Sequence, residues 1–268
     1  MNASEDWDVI WRWQWLRRPL WQPYYRDPSH PEGRAAKTVP VWDTLLKQNN
    51  AKRVLDANCG LGIRALILHE AGYEMVGVDS SSVAIAGGKE LAAVRELPVD
   101  FRQVKWLDLA ETFSAEFDAI INDGFSMILS RSELRFAAHN FASVLKPGGI
   151  FVFTGADQWS NPDDRPALVD HAWQAAPRYQ LRSDYEHDGT HLTLVVARDK
   201  SEIGVVENYL FVVRDGSGPQ LQTASICNSV QWTWDDYQHV CKEAGFTSLE
   251  SIKVPLGRRE QVLNVARR

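Results

Sequence analysis

Cysteine is scarce in this chain of 268 residues, and its three cysteines, Cys59, Cys227 and Cys241, show no paired spacing. An odd, scattered set excludes a disulfide framework and a thiolate metal site, and fits reduced thiols. Long apolar runs are missing as well. After the acidic start Met1-Asn2-Ala3-Ser4-Glu5-Asp6, no stretch has signal-peptide or membrane-spanning length, so a cytoplasmic protein with no membrane partner is expected. No basic stripe is present, and a net charge of -6 argues against nucleic acid as a partner. The G-x-G-x-x-G fingerprint is also lacking, which disfavours a nicotinamide-dependent oxidoreductase. What is there suits a soluble globular protein: 44% hydrophobic and 24% charged residues supply a sizeable core for one large domain, or one domain with an insertion.

The most informative segment is Arg53-Val54-Leu55-Asp56-Ala57-Asn58-Cys59-Gly60-Leu61-Gly62, a buried strand ending in a glycine turn that opens a helix near Ile63. Glycine permits close backbone approach, and the free N–H groups and dipole of a helix start suit an anionic group on a nucleotide-like ligand. Residues Tyr73 to Asp79 form a second apolar strand ending in a carboxylate, where dinucleotide-binding folds place a ribose-hydroxyl acceptor. Cys59, inside the turn, reads as a small packing residue.

Helices are expected over 37–49, 81–96 and 131–145, and further strands over 99–104, 117–123 and 149–154. Strands alternating with helices imply a doubly wound α/β fold, its mainly parallel sheet covered on both faces. Beyond residue 178 the pattern turns antiparallel. Segments 179–186 and 190–197 flank Asp188-Gly189, and 204–213 with 221–230 flank Asp215-Gly216. Thr233 caps a helix ending at Gly245, and 247–254 with 261–266 supply a closing strand pair. The expected organisation is an aromatic arm or lid (1–36), a ligand-binding core (37–178), an antiparallel roof (179–230) and a return to the core (231–268). Trp7, Ile10, Trp11 and Trp15 fall on one face of a helix, and the prolines at 19, 23, 28 and 31 make 19–34 a docked loop. This arm is also the candidate surface for self-association into a homo-oligomer. His187 and His191 read as polar residues of a hairpin, with Glu186 opposite His191, and no metal is expected. Arg258, Arg259, Arg267 and Arg268 read as solvated surface.

The acid-led turn Asp56-x-x-Cys59-Gly60-x-Gly62, together with Asp79, Phe117-Asp118-Ala119-Ile120-Ile121 and Leu145-Lys146-Pro147-Gly148-Gly149, resembles the class I S-adenosylmethionine-dependent methyltransferases. Within that family, Val54 to Gly62, Lys105-Trp106-Leu107, Gly124-Phe125-Ser126 and the roof look most like glycine N-methyltransferases and related small-molecule N-methyltransferases. The resemblance implies a Rossmann-like seven-stranded sheet, S-adenosyl-L-methionine as cofactor, S-adenosyl-L-homocysteine as product and a small-molecule acceptor. It implies that Asp56, Asn58, Gly60, Gly62, Ser80, Asn122 and Gly124 line the cofactor, with Asp56 alternatively holding the glycine turn without touching it, and that Arg34 pairs with the cofactor's carboxylate. By the same resemblance Asp79 holds the ribose hydroxyls, and Trp106 and Leu107 line the adenine. Asn58 stands where the family has a tiny residue. Phe125 replaces the asparagine of the glycine enzymes, and Ala156 replaces their carboxylate-binding arginine. A carboxylate without a cationic partner is costly to bury. The expected acceptor is therefore an amine other than glycine, in a more apolar pocket lined by Phe125, Ala156 and Trp159.

Methyl transfer from a sulfonium disperses charge, so positioning dominates. A neutral amine must lose a proton, and Asn122, Asp123 and the Gly124 carbonyl, with Tyr24 or Tyr25 from the lid, are the candidates to assist it. Rings of Trp21, Tyr24, Tyr25 and Trp159 either face the sulfonium or pack the lid onto the core. Oxygen or carbon acceptors, and a non-catalytic protein that binds the cofactor to regulate, are the alternatives.

Overall fold

The arm is helical almost throughout: α1 (Ala3–Leu16) and the one-turn α2 (Arg18–Trp21) lead to α3 (Arg34–Gln48). There follow β1 (Arg53–Asp56), α4 (Ile63–Glu70), β2 (Glu74–Asp79), α5 (Ser82–Val94), β3 (Asp100–Gln103), α6 (Leu109–Thr112), β4 (Phe117–Asn122), α7 (Arg131–Val144) and β5 (Leu145–Phe153). α8 (Arg165–Gln174) precedes β6 (Tyr179–His187), β7 (Thr190–Lys200), β8 (Gly204–Asp215) and β9 (Gly218–Ser229), and α9 (Trp234–Glu243), β10 (Ser248–Leu256) and β11 (Arg259–Arg267) close the chain. The computed structural model describes residues 3–154, 161–256 and 259–268.

Seven strands form one sheet in the order β10-β11-β5-β4-β1-β2-β3, with β1 to β5 parallel and β11 antiparallel to both neighbours. Alternation along the strands divides the core. Val54, Ala119, Ile121 and Val152 pack with Trp42, Leu45 and Leu66 of α3 and α4, whereas Leu55, Ile120, Phe151 and Phe153 pack with Phe141 of α7 and Tyr237 of α9. Parallel strands covered on both faces put their carboxyl ends at one edge, where an open α/β sheet offers its ligand crevice. None of the described helices is long and apolar enough to cross a membrane.

The strands β6 to β9 make a separate antiparallel sheet. Its buried Arg198 donates to the carbonyls of Ala172 (2.6 Å), Ala176 (2.6 Å) and Trp173 (3.2 Å), so a cation meets the negative end of α8. Glu186 does lie opposite His191, but His191 Nε2 pairs with Asp184 Oδ1 at 2.7 Å.

Several elements depart from the sequence expectations for definable reasons. α2 forms within the proline-rich loop because Pro19 sits in its first turn, where no helical N–H is needed. α3 begins at Arg34, after a turn so tight that a Cβ on Gly33 would lie 1.8 Å from the Asp27 carbonyl oxygen. β5 reaches back to Leu145 through an irregular register against β4, with Gly148 at φ 79°. Arg267 donates to Asn49 and Arg268 to the carbonyls of Ser143 and Leu145, so these two arginines tie the sheet's end to α7 and the α3 terminus instead of standing free in solvent.

The largest departure concerns α1, which uses two faces. Trp13, 2% exposed, packs in the roof with Leu192, Val196 and Phe211, its ring 4.8 Å from that of Phe211. Ile10 joins Trp13 on that face and not the tryptophan stripe, and Asp6 accepts from Ser225 N at 3.1 Å. Trp11 and Trp15 turn the other way, onto the core. Asp8 on that side accepts from Ser81 Oγ and from Val83 N (3.3 Å) at the start of α5. The helix is thus the filling between roof and core.

Candidate functional site at the strand ends

The glycine turn is held by its neighbours on both sides. Ala57 N donates to Ile121 O and Cys59 N to Val78 O, each at 3.0 Å. Gly60 (φ 53°) and Gly62 (φ 76°) take left-handed conformations that side-chain-bearing residues rarely adopt, and Gly62 caps the N-terminus of α4. Asp79 closes the turn from β2, accepting from Gly60 N (2.9 Å) and Ser81 N (3.0 Å). Burial pushes its carboxyl up to about 6, against the pull of those two N–H groups. Burial also drives the Cys59 thiol well above its ordinary range, with Asp56 and Asp79 adding repulsion, so this cysteine is a packing residue and not a thiolate.

Asp56 is fully buried and does not face the crevice; it holds Arg64, whose Nε and Nη2 donate to its two oxygens at 2.9 and 2.5 Å. The same guanidinium reaches Asn58 Oδ1 (3.2 Å) and Asp123 Oδ2 (3.0 Å) and lies over the Trp42 ring. Burial works against its charge, but Asp123 and Asp56 outweigh that and hold the Arg64 pKa above the usual value. Asn58 completes the network, donating to Asp123 Oδ1 and accepting from Asp123 N at 3.1 Å. The larger side chain at this position therefore has a partner: it fixes the residue after β4. Arg64 was missed by sequence reading; its signal was a cation in the first turn of α4, eight residues after the buried acid that ends β1.

Beyond β4, Asn122 is fully buried; its Oδ1 accepts from Gly124 N at 2.7 Å, while its Nδ2 has no partner. A Cβ on Gly124 would lie 3.1 Å from the Asn58 amide nitrogen and 3.6 Å from the Trp106 ring, so both side chains crowd this glycine. Trp106 donates its indole N–H to Ala57 O, and Asn140 holds the carbonyls of Trp106 and Leu107 at 2.9 and 2.8 Å. Ser80, next to Asp79, accepts from Gln103 Nε2 at 3.0 Å. Asp56, Asn58, Gly60, Gly62, Asp79, Ser80, Trp106, Leu107, Asn122, Asp123 and Gly124 thus belong to one edge of the sheet.

The arm residues Trp21, Tyr24 and Tyr25 do not join them. Trp21 and Tyr25 are buried in the groove between α4 and α5, against Ile63, Leu66, Leu91 and Arg95. Tyr24 is exposed and stacks on His30, with ring centroids 3.8 Å apart. Arg34 is exposed at the start of α3; its neighbours Ala36, Val39 and Pro40 line a hollow of about 410 Å³ with Ile67, Glu70 and Ala71, at the end of α4 remote from the glycine turn. Phe125 is fully buried among Phe141, Phe151, Phe153 and Tyr237, and has no surface to offer a substrate. Ala156 and Trp159 lie outside the described residues.

S-adenosylmethionine fits this edge. The two left-handed glycines put no side chain of their own on the turn, and Asp79, with one N–H on each oxygen, keeps acceptor capacity for a diol. The unpartnered Asn122 amide supplies a buried donor beside Gly124.

Residues 54–149 match the family model described as "Methyltransferase domain". The chain is 25% identical over 203 residues to a protein of Geobacillus sp. (strain WCH70) named as a methyltransferase, covering 76% of this chain and 77% of that one. It is 32% identical over 146 residues to the glycine N-methyltransferase of Rattus norvegicus, spanning 50% of this chain and 49% of that protein. Among solved structures, the fold is similar to a sugar N-methyltransferase from Streptoalloteichus sp. (TM-score 0.66, 18% identity, 91% and 90% of the two chains). It is also similar to an S-adenosylmethionine-dependent methyltransferase from Clostridium acetobutylicum (TM-score 0.64, 15% identity, 94% and 98%).

Proposed function

We propose that the chain is a class I S-adenosylmethionine-dependent methyltransferase that methylates the nitrogen of a small amine other than glycine. When bound, S-adenosylmethionine supplies a methyl group on a sulfonium. The residues of the chain bind, orient and hold charge around it. Asp79 and the glycine turn receive the adenosyl end, and Trp106 with Leu107 flanks the base.

The observation that carries the amine reading is Asp123. Its carboxylate is half-exposed at the end of β4, yet fixed by Arg64 and Asn58. A fixed anion at the mouth draws in an ammonium and can accept its N–H as the nitrogen becomes a nucleophile. Glycine fits less well: the Arg64 guanidinium is committed to Asp56, Asn58 and Asp123, and an incoming carboxylate would meet Asp123 instead of a free cation. The net charge of -6 supports a small molecule over nucleic acid as partner. Relatives at about 30% identity are named as glycine N-methyltransferases, which supports nitrogen as the acceptor atom, although the chain spans about half their length.

The test is incubation of purified protein with S-adenosylmethionine carrying a deuterated methyl group and a metabolite extract from the native source, read by mass spectrometry. A labelled amine is the expected product. A labelled phenol, alcohol or carbon centre discards the nitrogen reading and keeps the methyltransferase. Rapid, saturable labelling of glycine overturns the exclusion of glycine.

A further inference from the structure

The aromatic ring at the glycine turn is one that the sequence reading assigned to the arm's packing stripe. The Trp11 indole sits against Gly60: a Cβ built on that glycine would fall 2.4 Å from Cη2 and 2.6 Å from Cζ2 of the ring. One turn before it, Asp8 holds Ser81 and Val83 at the start of α5. One turn after it, Trp15 lies 3.0 Å from the position of a Cβ on Gly87. Three successive turns of α1 therefore press on the loop that follows β1, on the start of α5 and on its middle. Glycine at both 60 and 87 is what lets the indoles approach so closely.

Resting on the cofactor assignment above, we propose that Trp11 is a cofactor-site residue that gates the glycine turn. Its indole covers the face of Gly60 that the adenosyl chain must approach, and cofactor binding moves the ring aside to become the outer wall of the filled site. The opposite face of α1 is bound to the roof through Trp13 and Asp6, so the gate and the roof move together. A site that is open only part of the time captures ligand at a correspondingly reduced rate, and truncating the gate raises that rate.

The experiment measures association and dissociation of S-adenosylhomocysteine with the wild-type protein, Trp11→Phe and Trp11→Ala by stopped flow. Trp11→Ala is expected to associate about tenfold faster and to dissociate faster as well, with Trp11→Phe between the two. Unchanged rates in a folded Trp11→Ala protein overturn the gate and leave the cofactor assignment intact. No binding of either S-adenosylhomocysteine or S-adenosylmethionine by the wild-type protein overturns both. If Trp11→Ala does not fold, hydrogen exchange of the wild-type protein decides: altered protection of amides 8–15 on adding S-adenosylhomocysteine supports the gate, and unaltered protection overturns it.

Discussion

At the scale of single residues, the site is shaped by charges that the fold removes from water. Asp79 illustrates the conflict, since its carboxyl is needed at the end of β2 yet burial raises its pKa to about 6. The folded value lies above the ordinary carboxylate value of about 4, so between these pH values the folded state holds more protons and stability falls as pH rises through the window. Asp79→Asn removes that titration. The melting temperature of the variant relative to wild type should therefore climb from pH 4.5 to pH 7.5, while its affinity for S-adenosylhomocysteine falls; a pH-independent difference between the two melting curves would refute the assignment. Asp56 and Arg64 show the complementary solution, in which a buried acid is retained because a guanidinium donates to both of its oxygens.

Among the elements, α1 carries the most consequence. Its core face and its roof face interleave at helical spacing, Asp8, Trp11 and Trp15 on one side and Asp6, Ile10 and Trp13 on the other. Trp13→Ala removes a fully buried indole and should cost about 3–5 kcal/mol in urea denaturation, as large-to-small core changes do. A loss near zero would mean that α1 is not docked on the roof in solution. The α5 helix runs through Gly87-Gly88 despite the poor propensity of glycine, because Gly88 faces Phe101 and Gly87 admits Leu61 and Trp15.

On the scale of the whole molecule, the roof sheet holds α8 through the buried Arg198. Its guanidinium caps α8 with three carbonyl bonds, and Arg198→Met should lower stability by about 3 kcal/mol, the value of losing charged hydrogen bonds in the interior. Hydrogen exchange should then show the roof strands β6 to β9 opening ahead of the central sheet; uniform loss of protection would place the anchor's role elsewhere. Such an opening is the motion that a gate tied to the roof requires.

The sequence by itself determined the alternation of strands and helices, the glycine turn, Asp79 and the Asp188-Gly189 hairpin, because each is a local pattern of apolar period or backbone freedom. Motif resemblance also pointed to the residues after β3 and β4, which lie at the same edge of the sheet. Only the tertiary structure decided which aromatics meet the site. Trp11, Trp21 and Tyr25 have the same chemistry, but one lies on Gly60 and the others in the groove between α4 and α5. Helical spacing indicates that residues share a face, not what that face will meet. Arg64 was hidden for a related reason: a cation on a helix surface becomes a buried clamp only when the ends of β1 and β4 bring two carboxylates beside it, across a separation of 59 residues from Arg64 to Asp123 that no local pattern spans.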